Sequence, residues 1–254
     1  MGKINLTLFL SISMLSCSAQ SDSSTTKKPS AGFLCKHYYE KNNVDTIKSK
    51  STGTEANGTL INGALMPPAG DNFAYFSDQS YLAGRAYTNH KVKKSVLAMY
   101  ASLAKKYPNR TFQLMECSNE KGGKIWPHHT HQNGLSVDFM MPLTKDSVPY
   151  YKLDDLGKEH YLLTFDNQGR YSKDSLVHID FDIVAKQILI LDEQARKNGL
   201  KIKKVIIKIE LKDELYATPN GKKLKAKGIY VVKALTPLIN GLHDDHFHID
   251  FEEI

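Results

Sequence analysis

The sequence has no glycine-rich phosphate loop, no internal repeat and no nucleic-acid-binding motif. That sets aside P-loop nucleotide chemistry and repeat architectures. It has no HExxH pair, so a helix-borne metal site with its own glutamate base is excluded. Three cysteines in 254 residues are too few for a disulfide-dense scaffold. Acidic residues are in the minority, 27 against 34 Lys and Arg, which leaves a formal charge of +7. The lysines are scattered along the chain, as on an ordinary solvated surface. No nucleic-acid partner is expected, while an anionic membrane surface or wall polymer remains compatible.

The first residues read as a leader. "MGKINLTLFLSISMLSCSAQ" has Lys3, then an apolar run from Ile4 to Leu15, then small residues. The run is short for a membrane span and fits a secretory signal, taken as residues 1–17. Cys17 sits where a bacterial lipoprotein would be lipidated; ordinary cleavage near Ala19 is the alternative, because Met14 fits the lipoprotein pattern loosely. Residues 18–32, rich in Ser, Thr and Lys, read as a flexible linker. Residues 33–254 are then one domain. Cys35 and Cys117 remain in it, and in an oxidising compartment they form a disulfide or stay two buried thiols.

Within that domain residues 33–80 show no clear period and read as loops and short strands. Val92, Val96, Leu97, Tyr100, Leu103, Ala104 and Tyr107 fall at helical spacing, and Pro108 ends that helix. "RTFQLMEC" and "LSVDFMM" read as strands, and "YLLTFDNQGRYS" as a hairpin turning at 167–169. "DIVAKQILILDEQARKNG" reads as a helix with Asp182 as its cap and Gly199 as its stop. "KIKKVIIKIEL" and "HFHIDFE" read as strands. The mixture predicts an α+β fold, an antiparallel sheet flanked by helices.

Six of the ten histidines lie in two short clusters, "HHTHQNGLSVD" and "HDDHFHID". Period-two alternation puts Ser136, Asp138 and Met140 on one side of their strand, away from Leu135, Val137 and Phe139. It likewise puts His246, His248 and Asp250 opposite Phe247, Ile249 and Phe251. A catalytic zinc takes three N or O ligands and keeps one position open. His131, Asp138 and His248 would supply two imidazoles and a carboxylate. A hydrogen-bonded core histidine and a solvent-facing aspartate are the ordinary alternatives.

"HHTHQNGLSVD" resembles the H-x-[ST]-H-Q-x-G-x-x-x-D block of the penicillin-insensitive murein endopeptidases, and "HDDHFHI" resembles their H-x-x-H-x-H block. "LMECSNEKGGKIWP" is similar to the strand, serine loop and Gly-Gly that lead into the first. The resemblance implies the zinc peptidase fold shared with D-Ala-D-Ala peptidases and hedgehog domains. It implies zinc on His131, Asp138 and His248, with His246 and His243 beside the reacting centre. His128 matches a histidine that helps hold a second metal in some relatives, although their later Asp-x-x-His is missing here. Glu116 stands where relatives commonly have aspartate. The implied activity is hydrolysis of D-Ala to meso-diaminopimelate cross-links in peptidoglycan, in the periplasm, with a membrane contact only through a lipid on Cys17. A D,D- or L,D-carboxypeptidase of the same group, and a non-catalytic wall-binding lipoprotein with a structural zinc, are the competing readings. A carboxypeptidase would need a basic clamp, for which Arg85, Arg110 and Arg170 qualify by type.

Overall fold

The computed structural model describes residues 30–44 and 46–254. The leader, Cys17 and most of the linker lie outside the described residues. In chain order, helix α1 (Phe33–Asn42) leads to the hairpin β1 (Lys50–Thr54) and β2 (Asn57–Ile61). Then come β3 (Ala64–Leu65), β4 (Phe73–Tyr75), helix α2 (Asp78–Leu82), β5 (Tyr87–Thr88) and the long helix α3 (His90–Lys106). The middle holds β6 (Phe112–Leu114), β7 (Ser136–Met140), β8 (Leu143–Lys145), β9 (Val148–Tyr150), a 3-10 segment at Asp154–Leu162, β10 (Arg170–Tyr171) and β11 (Asp174–Ile179). Helix α4 (Phe181–Lys197), β12 (Leu200–Ile206), α5 (Lys212–Ala217), α6 (Pro219–Ala226), α7 (Pro237–Gly241) and β13 (His246–Glu253) complete it. No helix among the described residues is long and apolar enough to cross a membrane.

The sheet that positions the site has the order β12-β13-β7-β6-β4. Its strands pair antiparallel except β4 with β6. Strand β13 lies directly against β7, with His246 opposite Met140, Phe247 opposite Phe139, His248 opposite Asp138, and Asp250 opposite Ser136. The alternation expected from the sequence is therefore realised as cross-strand pairs, a polar row on one face and an apolar row on the other. Phe139 and Phe247 stack with centroids 5.1 Å apart, both fully buried. Burial of each such ring contributes about 1.5–3 kcal/mol.

Helices α3 and α4 cover the apolar face. Val92, Val96, Met99 and Leu103 of α3 are buried at i, i+4, i+7 and i+11, and Tyr100 meets Phe139 at 6.4 Å. The Asn89 side chain caps α3 by accepting from Lys91 N. The cap of α4 is Asp180, which accepts from Ile183 N, rather than Asp182. Asp182 sits inside the helix and accepts from Asn220 instead. Gly199 ends the helix as expected, at φ 73°.

Two further expectations change. Residues 33–42 are helical; only Cys35 of α1 is buried, so no apolar period could reveal it. The expected hairpin at 161–172 turns at 167–169, with Phe165 bridging Tyr171, Asp166 N donating to Arg170 O and Ser172 N to Thr164 O, but its first arm starts in 3-10 turn at Tyr161 and Leu162. Of the two readings of the cysteines, the structure has the second: Cys35 and Cys117 are free buried thiols. Cys35 lies 3.8 Å from Asp78 O and Cys117 3.9 Å from Met115 O. Burial, with Asp78 alongside, pushes the Cys35 thiol up to about 12, the character of an inert core residue.

Candidate metal centre

Asp138 is the hub. It lies in the middle of β7, fully buried, on the face away from the helices. Its N–H donates to Glu116 O and its carbonyl accepts from Met115 N, which locks the chain after β6 alongside it. Three imidazoles turn toward its carboxylate. His131 Nε2 is 3.2 Å from Oδ2, off the hydrogen-bond direction. His128 Nδ1 is 3.7 Å from the same oxygen, and His248 Nδ1 is 2.7 Å from Oδ1.

His131 reaches this place at a conformational cost. Its φ is 67°, in the left-handed region that a non-glycine residue rarely occupies. The Ser118 hydroxyl holds the turn, donating to His131 O and accepting from Gly134 N. Gly134 itself is at φ 75°, where a Cβ would come within 2.8 Å of Leu60 and 3.0 Å of Asn89 N. A glycine is required there to bring the loop into β7.

Two of the rings are braced from behind by carboxylates. His128 Nε2 lies 2.5 Å from Glu116 Oε2, and Glu116 is fixed in turn by the Ser80 hydroxyl at 2.6 Å and Arg85 Nε at 3.2 Å. His248 Nε2 lies 2.8 Å from Asp250 Oδ1, which also accepts from Ser136 Oγ. Lys204 Nζ stands 3.1 Å from the other Asp250 oxygen. Each brace leaves Nδ1 facing Asp138. Carboxylates behind metal-binding imidazoles play this part generally: they fix the ring and raise its basicity.

The electrostatics fit a cation. Burial would raise the Asp138 carboxyl, but His131 and His248 hold it well below the ordinary carboxylate range. Burial alone would lower His248, yet Asp250 and Asp138 on its two sides push it up to about 10. A divalent ion in this space would compete with a proton on Nδ1. The His131 ring nitrogens and Asp138 Oδ2 are buried with no hydrogen-bond partner among the described residues. Such atoms cost about 1–3 kcal/mol each when left so, and imidazole nitrogen with carboxylate oxygen is a donor set for zinc. The tightest group is His128, His131 and Asp138, whose ligand atoms lie within 4.8 Å of one another. His248 approaches the other oxygen of Asp138, so the structure brings all four together.

His246 and His243 stand at the cleft side of this group. His246 Nδ1 lies 2.6 Å from Asp245 Oδ1. Burial would lower this imidazole, but Asp245 raises it overall. His243 Nδ1–H donates to Ile239 O at 2.6 Å; burial first, then His246, pushes the ring down to about 3, so it is neutral. The ring centroids of His243 and His246 are 4.8 Å apart. His160 is a buried histidine that the sequence reading passed over. Its nitrogens face Leu153 O at 3.4 Å and Asp245 O at 3.3 Å, so it supports Asp245 rather than entering the metal group.

A cleft of about 710 Å³ opens over these residues. His128, His243, His246 and His248 line its polar side, and Trp126, Pro127, Ile206, Ile239 and Leu242 its apolar side. Size and lining suit a peptide-sized ligand. A family model described as penicillin-insensitive murein endopeptidase matches residues 51–252, most of the chain and both histidine blocks. The chain belongs to this family. No curated protein matches the chain. As a murein endopeptidase it is a peptidoglycan hydrolase that cuts peptide cross-links and acts on the cell wall, outside the cytoplasm.

The residues that the sequence reading did not assign are those behind and beside the histidines: Asp245, Asp250 and Tyr161, with Glu116 left without a role. The "HDDHFHID" run did carry a signal, since acidic residues alternating with histidines on one strand can brace them.

Proposed function

We propose that this murein endopeptidase is a zinc enzyme specific for the D-Ala to meso-diaminopimelate cross-link. His131, Asp138 and His248 hold the ion, and His128 stands across from them as a further nitrogen within reach. The observation that carries this reading is the convergence of three imidazoles on one buried carboxylate, with the His131 ring nitrogens and Asp138 Oδ2 unsatisfied, beside a peptide-sized cleft that His128 and His248 line. When bound, zinc supplies Lewis acidity, which polarises an amide carbonyl and makes hydroxide available near neutral pH.

The chain's own residues supply the proton handling. Asp245 holds Nδ1–H of His246, which leaves Nε2 as the acceptor directed to the cleft. His246 takes the proton from the attacking water and returns it to the leaving amine. General base help of this kind contributes about 10²–10⁴ in rate. His243, neutral and anchored to Ile239 O, orients His246 or the peptide.

Endo rather than exo cleavage is supported by the arginines. Arg85 is engaged by Glu116 and by the Trp126 carbonyl, Arg110 by Asp180, and Arg170 by Asp166. Arg110 and Arg170 do not line the cleft, and Arg85, which does, is held by these partners; Lys158 is the other basic residue of the lining, so the muropeptide products decide between the two cleavages. The presence of His243 and His246 in the cleft, which a structural zinc would not need, supports an enzyme over a wall-binding module. We further propose a secreted protein tethered by acyl chains on Cys17. The test of the activity is digestion of purified cross-linked muropeptides, with and without chelator, followed by mass analysis. Monomer masses that vanish with chelator are expected. Loss of a terminal residue would indicate a carboxypeptidase, and no change at all a binding module.

A further inference from the structure

Tyr161 forms part of the cleft wall, beside two of its imidazoles. Its ring meets His246 edge-on, centroids 5.4 Å apart and planes at 88°, and stands 6.4 Å from His128. Phe76 packs edge-on against it at 5.6 Å. The phenol oxygen lies on the ring axis, so ring flips do not move it. That oxygen is buried, and no group among the described residues hydrogen-bonds it.

Buried tyrosines make the contrast with this half-buried one. Tyr75 and Tyr81 donate to Arg85 O and Met66 O. Tyr100 also lacks a partner, but it is packed among Phe73, Phe112 and Phe139 in the apolar core, where no ligand can reach. Only Tyr161, among these four, opens on the cleft. A buried hydroxyl without a partner is costly, and for Tyr161 the compensating partner can arrive with a ligand. Burial, together with the nearby carboxylates of Glu116, Asp138 and Asp245, keeps this phenol protonated. It can therefore act as a donor, and its partner is an acceptor. In amide hydrolysis the acceptor that gains charge is the carbonyl oxygen, and here it would lie next to the imidazole that handles the water proton.

We propose that Tyr161 is a catalytic residue of this centre, its O–H donating a hydrogen bond to the scissile carbonyl oxygen as negative charge builds there. The phenol keeps its proton throughout. Water adds its oxygen to the carbonyl carbon, the C–N bond breaks, and the water proton passes by His246 to the leaving amine. This role rests on the endopeptidase reading above and adds an oxyanion donor to it. Loss of one such donor lowers turnover by about 10²–10³.

The experiment is Tyr161→Phe, which removes one oxygen and keeps the ring. Turnover on cross-linked muropeptides should fall by about that factor with KM nearly unchanged. Metal content should stay at the wild-type level, and the thermal midpoint should stay level or rise, since no internal hydrogen bond is lost. A phosphinate analogue of the scissile amide, which carries the tetrahedral anion, should bind more weakly to the variant in proportion to the lost turnover. Full turnover in the variant overturns the role of Tyr161 alone. So does loss of metal, or a lowered midpoint, either of which makes the hydroxyl structural. A wild-type enzyme inactive on cross-linked muropeptides overturns the endopeptidase reading and this role with it.

Discussion

Asp250→Asn separates an imidazole that is held from one that is only present. Asp250 is fully buried on β13, and its Oδ1 takes the Nε2 side of His248 at 2.8 Å. That contact fixes the ring and turns Nδ1 to Asp138. Asparagine keeps the volume and an acceptor oxygen, so the ring can stay in place, but the charge that raises its basicity is gone. Removing a carboxylate behind a metal-binding histidine typically lowers metal affinity about 10- to 100-fold. At about 1.36 kcal/mol per decade this is roughly 1.4–2.8 kcal/mol. Lys204 is not stranded by the change, because Glu55 remains 3.3 Å from its ammonium, so the fold should survive. Asp250→Ala also removes the acceptor and should sit at or beyond the upper end of the range. The assay is competition for zinc against a chromophoric chelator of known affinity, with circular dichroism on the same samples. A folded Asn variant that binds zinc as tightly as wild type would refute the bracing role and weaken the assignment of His248 as a ligand.

Three further outcomes are expected. His248→Ala should lose most of its metal, while His246→Ala keeps metal and fold and loses about 10²–10⁴ in turnover; equal metal loss in both, measured on the same preparations as turnover, would make His246 a ligand. Burial and the neighbouring Asp155 push the Asp154 carboxyl from 3.8 up to about 7. Between those values the folded chain keeps a proton that the unfolded chain has lost, so this group's contribution to stability falls as pH rises through that window. Asp154→Asn should flatten that part of the stability curve and be more stable than wild type at alkaline pH, and parallel melting profiles for the two would disprove it. Finally, Cys17→Ser should move the protein from the membrane to the soluble fraction, since buried acyl chains contribute about 0.8 kcal/mol per methylene; wild type already soluble would favour ordinary signal cleavage.

The two histidine strands were legible in the sequence because a period of two assigns faces without knowledge of neighbours. Leu135, Val137 and Phe139 declared one side of β7, and Phe247, Ile249 and Phe251 one side of β13. The long helices were legible for the corresponding reason at period 3.6. What stayed hidden depends on pairing. Ser136 can meet Asp250, and His248 can meet Asp138, only in one cross-strand register, which no single strand announces. Glu116 and Tyr161 are brought to the site by a loop and a 3-10 segment that carry no period at all. Helix α1 hides because it buries one residue, and the state of the cysteines because pairing of distant residues has no local signature.

The direct opposition of His248 and Asp138 across two antiparallel strands would make the proposed metal centre a checkpoint on assembly. A slip of one residue between β13 and β7 would turn His246, His248 and Asp250 toward the helices and carry Phe247, Ile249 and Phe251 into the cleft. A cation that needs groups from both strands finds its full set of donors only on a correctly zipped sheet. The same ion would then select the native strand alignment over its nearest misfolded competitor, so stripping the metal should loosen the discipline of the sheet as well as silence the enzyme.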